Sequence, residues 1–529
     1  MTGTPALVRL ALRRDRLLLP VWILLIVGAV AATASAIAEL YPGMEQRVAL
    51  GVTIGSTPAL QAITGPVYDS TSVGGLTAWR ATTVTTVLIA LMNVLLVTRH
   101  TRAEEESGRA ELVGACAVGR HALPAAALVV AAGANLLIGL LLTAALAGQG
   151  LPVSGALAFG LGIACTGWLF AGVASVTAQL SEHARTANGL AVTVLGLAFL
   201  LRAGGDAARI DALSWASPLG WAQRVRPFAD ERWWVLGLAL LTGVALVTVA
   251  VALTRRRDLG AGVLPPRRGS AEAPPYLGSP LGLAWRLHRG GVLAWTVGFA
   301  VMGTLFGTLT QSMGQILRDN PQLAVILEQL GGEGALTDTF LATVLGMMGL
   351  LAGAFAVQAV LRLLAEEAAL RAETVLATAV SRTRWTLGHL VMAFAGAAVI
   401  LTAGGLAVGL AHGARTGDAG EQMFRLAAAA WVQLPAVWVV AGLAMLLYGT
   451  LPRLTTLAWA ALLAFALLGQ LGEVLRLPEW MQGLSPYAHL PQAPGGEVES
   501  TPLLWLGVLA AALTVGGMTA FRRRDLIGN

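Results

Sequence analysis

The chain contains no lysine: all 35 of its basic residues are arginine. That absence excludes a phosphate-binding P-loop within this polypeptide, because the motif needs a lysine on the β- and γ-phosphates. It also excludes Schiff-base chemistry on a lysine amine. Charge is scarce in general. Only 12% of the 529 residues are charged, against 56% hydrophobic, where a soluble domain carries about 25% charged residues. Most of the surface therefore faces something other than water. There are 2 cysteines, Cys116 in a polar loop and Cys165 inside an apolar run, too few for a disulfide framework or a thiolate metal site. The 7 histidines are scattered, with no pair at metal-ligand spacing. No metal and no cofactor is expected in this chain, and the formal charge of +6 does not point to nucleic acid.

What the sequence does contain is a series of apolar runs of roughly 20 residues, the length that crosses a bilayer as a helix. Mean hydropathy is +0.71. The runs lie at 18–39, 77–98, 123–147, 152–178, 187–203 and 233–254, then at 290–312, 339–362, 386–411, 425–449, 455–470 and 502–520. Strand-type alternation is absent, and lipid demands that backbone hydrogen bonds be satisfied internally. The expectation is an all-α polytopic membrane protein of about twelve transmembrane helices, built as two parallel six-helix repeats. A cleavable signal peptide is not expected: Arg9, Arg13, Arg14 and Arg16 precede a first run, Leu17 to Ile37, that is too long for a signal core.

The repeat is written in the residues. Ala103-Glu104-Glu105 is followed by Arg109-Ala110-Glu111, Ala117-Val118 and Arg120; Ala365-Glu366-Glu367 is followed at identical spacing by Arg371-Ala372-Glu373, Ala379-Val380 and Arg382. Arg255-Arg256-Arg257-Asp258-Leu259 after the sixth run matches Arg522-Arg523-Arg524-Asp525-Leu526 after the twelfth, and Ser217-Pro218 matches Ser485-Pro486. The domains read as 1–264 and 281–529, joined by a polar linker at 265–280. An even number of spans per half makes the repeats parallel, related by a pseudo-two-fold axis along the membrane normal. About 24 of the 35 arginines fall on the side carrying both termini, the linker and both Glu-rich loops, which the positive-inside rule places in the cytoplasm. Arg202, Arg209, Arg224, Arg226 and Arg232 break the rule from an outer loop.

In the Glu-rich loops, Glu105 and Arg109 stand four apart, as do Glu367 and Arg371, the favourable order for a helical pair. Each loop is expected to be a short helix with Leu112, Val113 and Val118, or Val375, Leu376 and Val380, as apolar contacts. A solvated interfacial helix is the plain alternative, but solubility does not require the same residue order twice. The segments Ala6 to Leu17 and Leu281 to Arg289 read either as amphipathic helices along the membrane surface or as simple positive-inside anchors. In the second span Thr82, Thr86 and Asn93 share one helical face, and Gln358 sits in the eighth span. Polar side chains in spans more often tie helices together than touch substrate.

The pattern Ala-Glu-Glu-x3-Arg-Ala-Glu in two halves resembles the membrane subunit of type-2 ABC exporters. More narrowly it is similar to the fused, double-length permeases of actinobacteria described as polyketide-antibiotic (tetronasin-type) exporters. Leu213 to Trp221, Arg226-Pro227-Phe228 and the segment around Pro58, Gly65 and Pro66 carry that likeness further, whereas Ser485-Pro486-Tyr487-Ala488-His489 departs from the outer-loop pattern. The resemblance implies a bacterial plasma-membrane permease, both termini cytoplasmic, that exports a small hydrophobic or amphipathic compound. It implies two copies of a cytoplasmic ATPase subunit that bind ATP and Mg. Coupling would run through Glu104, Glu105, Arg109 and Glu111, with Glu366, Glu367, Arg371 and Glu373, each set meeting basic residues of the partner. Loops at Ser181 to Arg185 and at Arg453 would add a secondary contact. Type-2 exporters use the second and fifth spans for translocation, which makes Thr82, Thr86, Asn93 and Gln358 the candidate substrate-pathway residues.

Two other classes compete. An ion-coupled carrier of the major-facilitator plan needs ionisable groups inside the membrane, and no apolar run holds a central Asp or Glu. A membrane-embedded enzyme needs a carboxylate, His or Ser/His set near the surface; Asp206, Asp211, Glu473 and His489 lie in outer loops without a spacing that reads as a site.

Overall fold

The computed structural model describes residues 2–56, 58–264, 272–318, 332–471, 478–496 and 498–526. The chain divides into two compact units, Met1–Gly269 and Ser270–Asn529. The division falls within the polar stretch between the halves, of which residues 265–271 lie outside the described residues, as does Glu473.

Unit 1 begins with α1 (Thr4–Arg14), α2 (Leu18–Leu40), α3 (Met44–Ser56), α4 (Pro58–Thr64) and α5 (Val73–His100). Short helices α6 (Arg102–Glu106) and α7 (Arg109–Gly114) lead into α8 (Ala122–Gly148), α9 (Val153–Leu180) and α10 (Ala184–Ala208). After α11 (Asp211–Ala216) and α12 (Pro218–Arg224), α13 (Trp234–Thr254) closes the unit. Unit 2 repeats the plan with α14 (Pro280–Arg318), α15 (Gly332–Ala368), α16 (Arg371–Leu376), α17 (Arg382–Thr416), α18 (Ala419–Trp431) and α19 (Leu434–Thr450). It ends with α20 (Leu457–Leu471), α21 (Glu479–Gln482) and α22 (Ser500–Arg523). Among the described residues 11 helices are long and apolar enough to span a bilayer, with Leu457–Gly469 as a shorter apolar helix. The protein is an all-α polytopic membrane protein.

Packing within unit 1 centres on α9, which touches α5, α8, α10 and α13. Of its apolar window 83% is buried, against 22% for α2, so α9 is a core helix and α2 a lipid-facing one. Helix association in lipid depends on close backbone approach and small residues. Gly139 of α8 and Gly160 of α9 meet so closely that a Cβ on either would strike the other's carbonyl oxygen. In unit 2 the buried apolar residues come chiefly from α15, α17 and α19; a Cβ on Gly449 of α19 would strike the carbonyl oxygen of Gly517 on α22, and one on Gly517 would strike that of Met445 on α19.

Two local expectations need correction. The run at 425–449 is not one helix: α18 ends at Trp431 and α19 begins at Leu434, with Pro435 in its first turn. Proline has no N–H to donate and its ring clashes with the carbonyl one turn earlier, so the helix breaks before it. The segment Leu281 to Arg289 is not a separate surface helix but the start of α14. Its counterpart α1 is separate, buries Leu7 and Ala11, and stops at Asp15.

Three of the five arginines that break the charge rule, Arg202 on α10 itself and Arg209 and Arg224 beyond it, are engaged at the end of unit 1 reached by the start of α5. Arg202 is buried, pairs with Asp206 at 3.1 Å and donates to the carbonyls of Ala62 at 2.8 Å and Ile63 at 3.2 Å. Arg209 donates to the carbonyl of Gly55, and Arg224 pairs with Asp211 at 2.7 Å. The guanidiniums of Arg202 and Arg209 satisfy carbonyls left open at the ends of α3 and α4. Arg224 also holds the Asp211 carboxyl below the usual carboxylate range.

A duplicated carboxylate clasp

The functional candidates converge at the other end of each unit, where α5 and α15 finish. Glu105 lies on the single turn of α6, directly after α5. Its carboxylate takes a two-pronged pair from Arg257: Nη1 to Oε2 and Nη2 to Oε1, both 2.7 Å. Arg102, fully buried, adds a third N–H at 2.9 Å and also donates to the carbonyls of Ala178 at the foot of α9 and of Gly260 and Ala261. Gln179 Oε1 accepts from Arg257 Nε at 2.6 Å. Arg120 completes the knot by donating to the carbonyls of Thr254 and Arg257, each at 2.8 Å. Those carbonyls lie at the C-terminal end of α13 and have no partner within the helix.

Unit 2 builds the same clasp from the matching residues. Glu367, on the last turn of α15, takes Arg524 Nη1 on Oε1 and Nη2 on Oε2, both 2.7 Å. Arg382 donates to the carbonyl of Arg524 at 2.5 Å and to that of Phe521 at 3.2 Å. Here Tyr448 of α19 supplies the further donor, its hydroxyl 2.6 Å from Glu367 Oε2. The Arg524 guanidinium also lies over the rings of Tyr448 and Phe521, at 4.9 and 5.0 Å. The planar guanidinium fork matches a carboxylate in both units, a geometry that a lysine ammonium cannot reproduce.

The other acidic residue of each pair faces a different way. Glu104 accepts from Arg14 at 2.5 Å and from Arg109 at 3.4 Å. Glu366 accepts from Arg362 at 2.9 Å and from Arg371 at 2.7 Å. The expected pairs Glu105–Arg109 and Glu367–Arg371 are therefore replaced by Glu104–Arg109 and Glu366–Arg371. The helix does not run through the loop: Gly108 and Leu370 adopt left-handed backbone angles, φ 73° and 58°, and a new helix starts at Arg109 or Arg371. That break swings the arginine past the nearer glutamate and frees Glu105 and Glu367 for the clasp. Leu370 pays a steric penalty that Gly108 avoids.

Of the residues assigned to coupling, Glu105 and Glu367 are thus turned inward and held within their own units, and Glu104 and Glu366 are mostly covered. Glu111 on α7 and Glu373 on α16 are exposed, with Leu112 exposed beside Glu111. On the far face of the same helices Ala110 and Ala372 are buried, and Val113 and Val118 pack with Leu7 of α1, Ala122 and Ala126. Glu106 accepts from the backbone N–H of Ala184 at 2.9 Å, which ties the first loop to the Ser181 to Arg185 segment.

The candidate pathway residues are in contact with their own unit. Thr82 and Thr86 are buried and donate to the carbonyls of Ala78 and Thr83. Asn93 and Asn135 of α8 exchange two amide hydrogen bonds at 2.8 and 3.0 Å. Gln358 is exposed and accepts from Trp295 at 2.9 Å. The sequence reading missed Arg257, Arg524, Arg102, Gln179 and Tyr448 as site residues. One signal was available: two acidic and two basic motifs, duplicated in the same order, had matching numbers of partners within the chain.

Fold and clasp together define an all-α polytopic membrane protein of two units, each of which fastens the loop after its second span to the end of its last. Comparison with known proteins narrows that class. The chain is 46% identical, over 526 residues spanning 99% of its length and 95% of the relative's, to the multidrug efflux system permease protein Rv1217c of Mycobacterium tuberculosis. Residues 277–522 match the family described as the C-terminal domain of the multidrug efflux system permease Rv1217c. The chain belongs to this family of multidrug efflux permeases.

Proposed function

We propose that this chain is the membrane-spanning subunit of an ABC exporter that moves hydrophobic or amphipathic compounds out of the cell. ATP and Mg are bound by two copies of a separate cytoplasmic ATPase, and the chain has no ATPase site of its own. It sits in a bacterial plasma membrane with both termini in the cytoplasm. The resemblance to tetronasin-type exporters makes polyketide antibiotics the first compounds to test.

The observation that carries the reading is the duplicated clasp behind an exposed short helix. Glu111 and Glu373 face outward from α7 and α16, where basic residues of a partner can meet them. Behind them, the Glu105–Arg257 and Glu367–Arg524 pairs fix each loop to the last span of its unit and to the end of the fourth. A push on α7 or α16 therefore moves several spans together instead of deforming a loop. Docking and transmission are carried by different carboxylates, and this separates their tests. Glu111→Arg with Glu373→Arg is expected to lose copurification of the ATPase while the spans stay folded. Glu105→Gln with Glu367→Gln is expected to keep the ATPase bound but lower ATP-driven efflux at least tenfold. Wild-type copurification and efflux in both double variants would overturn the coupling scheme.

A further inference from the structure

The loop between α12 and α13 of unit 1 carries Arg226-Pro227-Phe228, a motif that neither the clasp nor the docking scheme employs. Three of the five non-glycine residues with positive φ among those described fall in this loop: Arg226 at 53°, Phe228 at 63° and Asp230 at 54°. That region is strained for a side chain as bulky as phenylalanine, and the loop holds no glycine to relieve it. The chain winds into a hook, closed by hydrogen bonds from Ala229 N–H to the Arg226 carbonyl at 3.0 Å and from Arg232 N–H to the Val225 carbonyl at 2.7 Å. The closed hook is not fully satisfied. Arg226 lies over the ring of Tyr68 at 4.8 Å, but its Nε is buried without a hydrogen-bond partner. Among the described residues of the matching stretch in unit 2, from Ser485-Pro486 to α22, positive φ falls on a glycine, Gly495. The repeat itself therefore does not impose the strain.

Backbone strain persists where the surroundings over-determine it, and it concentrates at elements that switch. What this hook positions is the ring of Phe228. The ring lies against Gly74 in the first turn of α5 and Gly155 in the first turn of α9. A Cβ would come within 2.6 Å of it at Gly74 and 2.1 Å at Gly155. Phe228 is thus a peg seated on the backbones of two spans that pack along each other. At the far ends of the same spans Arg102, just past α5, donates twice to the carbonyl of Ala178 on α9. One end of the pair is held by charge-assisted hydrogen bonds, the other by a strained loop and one apolar ring.

We propose that the hook is a releasable catch: when Phe228 withdraws, α5 and α9 part at their Gly74 and Gly155 ends, with the clasp as the pivot. Strain lowers the cost of release, because the loop relaxes to ordinary backbone angles as the peg leaves. Phe228 is then a positioning residue for two spans and not a contact for cargo. The catch rests on the export reading only for the purpose that parting serves, since opening itself needs no ATPase.

The test uses the full chain in lipid nanodiscs, without ATPase or nucleotide, so that failure here leaves the coupling scheme untouched. Spin labels are placed on Arg80→Cys of α5 and Ser154→Cys of α9, both exposed positions, with Cys116→Ser and Cys165→Ala removing the native thiols. Pulsed electron resonance between the labels is expected to give a main short distance and a minor long one. Asp230 is exposed, so exchanging it alters the strain of the loop and leaves the peg in place. Glycine accepts positive φ freely, whereas a β-branched side chain resists it. Asp230→Gly should therefore lower the long-distance fraction at least threefold, and Asp230→Val should raise it at least threefold. Phe228→Ala should make the long distance the main one. A static wedge would give one distance whatever residue stands at 230. A single distance in the labelled parent chain, or a long-distance fraction indifferent to residue 230, would overturn the proposal.

Discussion

In unit 1 the carboxylate of Glu105 is shared by two guanidiniums, Arg257 and Arg102, and Arg257 has a glutamine behind it. In unit 2 the carboxylate of Glu367 takes the fork of Arg524 and the phenolic hydroxyl of Tyr448. Arg524 Nε is buried without a hydrogen-bond partner, and its charge rests instead on two aromatic faces. The duplicated element is therefore the forked Glu–Arg pair, and each unit has found its own way to finish neutralising it. Side chains that repeat in both units define the mechanical link, and those that differ set how strongly each link is held.

The largest effect expected from breaking this comparison is that of the shared arginine. Removing one partner of a buried ion pair costs about 3–5 kcal/mol, because the remaining charge is left uncompensated. Arg524→Ala should approach that figure in thermal or denaturant unfolding in detergent. Arg257→Ala should cost about half as much, since Arg102 stays against Glu105 to carry part of the compensation. Equal losses in the two variants would show that Arg102 serves the carbonyls of Ala178, Gly260 and Ala261 and contributes nothing to the carboxylate.

A middle-sized effect separates the supporting residues. Tyr448→Phe removes a hydrogen bond to a charged acceptor and should cost about 1.5–3 kcal/mol. Gln179→Leu strands Arg257 Nε, a state that Arg524 Nε already occupies in unit 2, so the loss should be nearer about 1 kcal/mol. Measured in the same unfolding assay, a larger loss for Gln179→Leu than for Tyr448→Phe would reverse the ranking of the two supports.

Much of this architecture is legible in the sequence because its cause is local. Apolar runs place the spans, and the matched Glu-rich and Arg-rich stretches reveal the duplication. The spans' ends were harder: α15 continues to Ala368, past the expected end of the apolar run at 362, so that Glu366 and Glu367 ride on a long helix and not on a separate one. The clasp itself joins residues 152 apart in one unit and 157 apart in the other, and no spacing rule connects positions so distant. Charge near a predicted loop was therefore assigned to an external partner when much of it is satisfied inside the unit. The break before Pro435 was visible as a proline within an apolar run, but hydropathy alone reads through it.

The smallest effect tests how the two loops are tied at their outer edge. Glu104 fastens the free-standing α1 to the loop through Arg14, whereas Glu366 pairs with Arg362 on its own helix and with Arg371. Pairs whose arginine is partly exposed, as Arg14 and Arg109 are, contribute about 0.2–1 kcal/mol and weaken with salt, so Glu104→Gln should not shift global unfolding by more than that, whereas Glu366→Gln, at a buried carboxylate between Arg362 and Arg371, should cost more. Local opening should nevertheless differ. In Glu104→Gln the backbone amides of α1 should exchange faster, because the helix loses one of its ties and keeps the packing of Leu7 and Ala11, the pairing of Asp15 with Arg99 and His100, and the hydrogen bond from Gly119 N–H to the Thr2 carbonyl. In Glu366→Gln the start of α14 should be unaffected, since that segment is continuous with its span. Faster exchange at the start of α14 would mean that Glu366 reaches the leading helix as well, and that the two units are fastened alike after all.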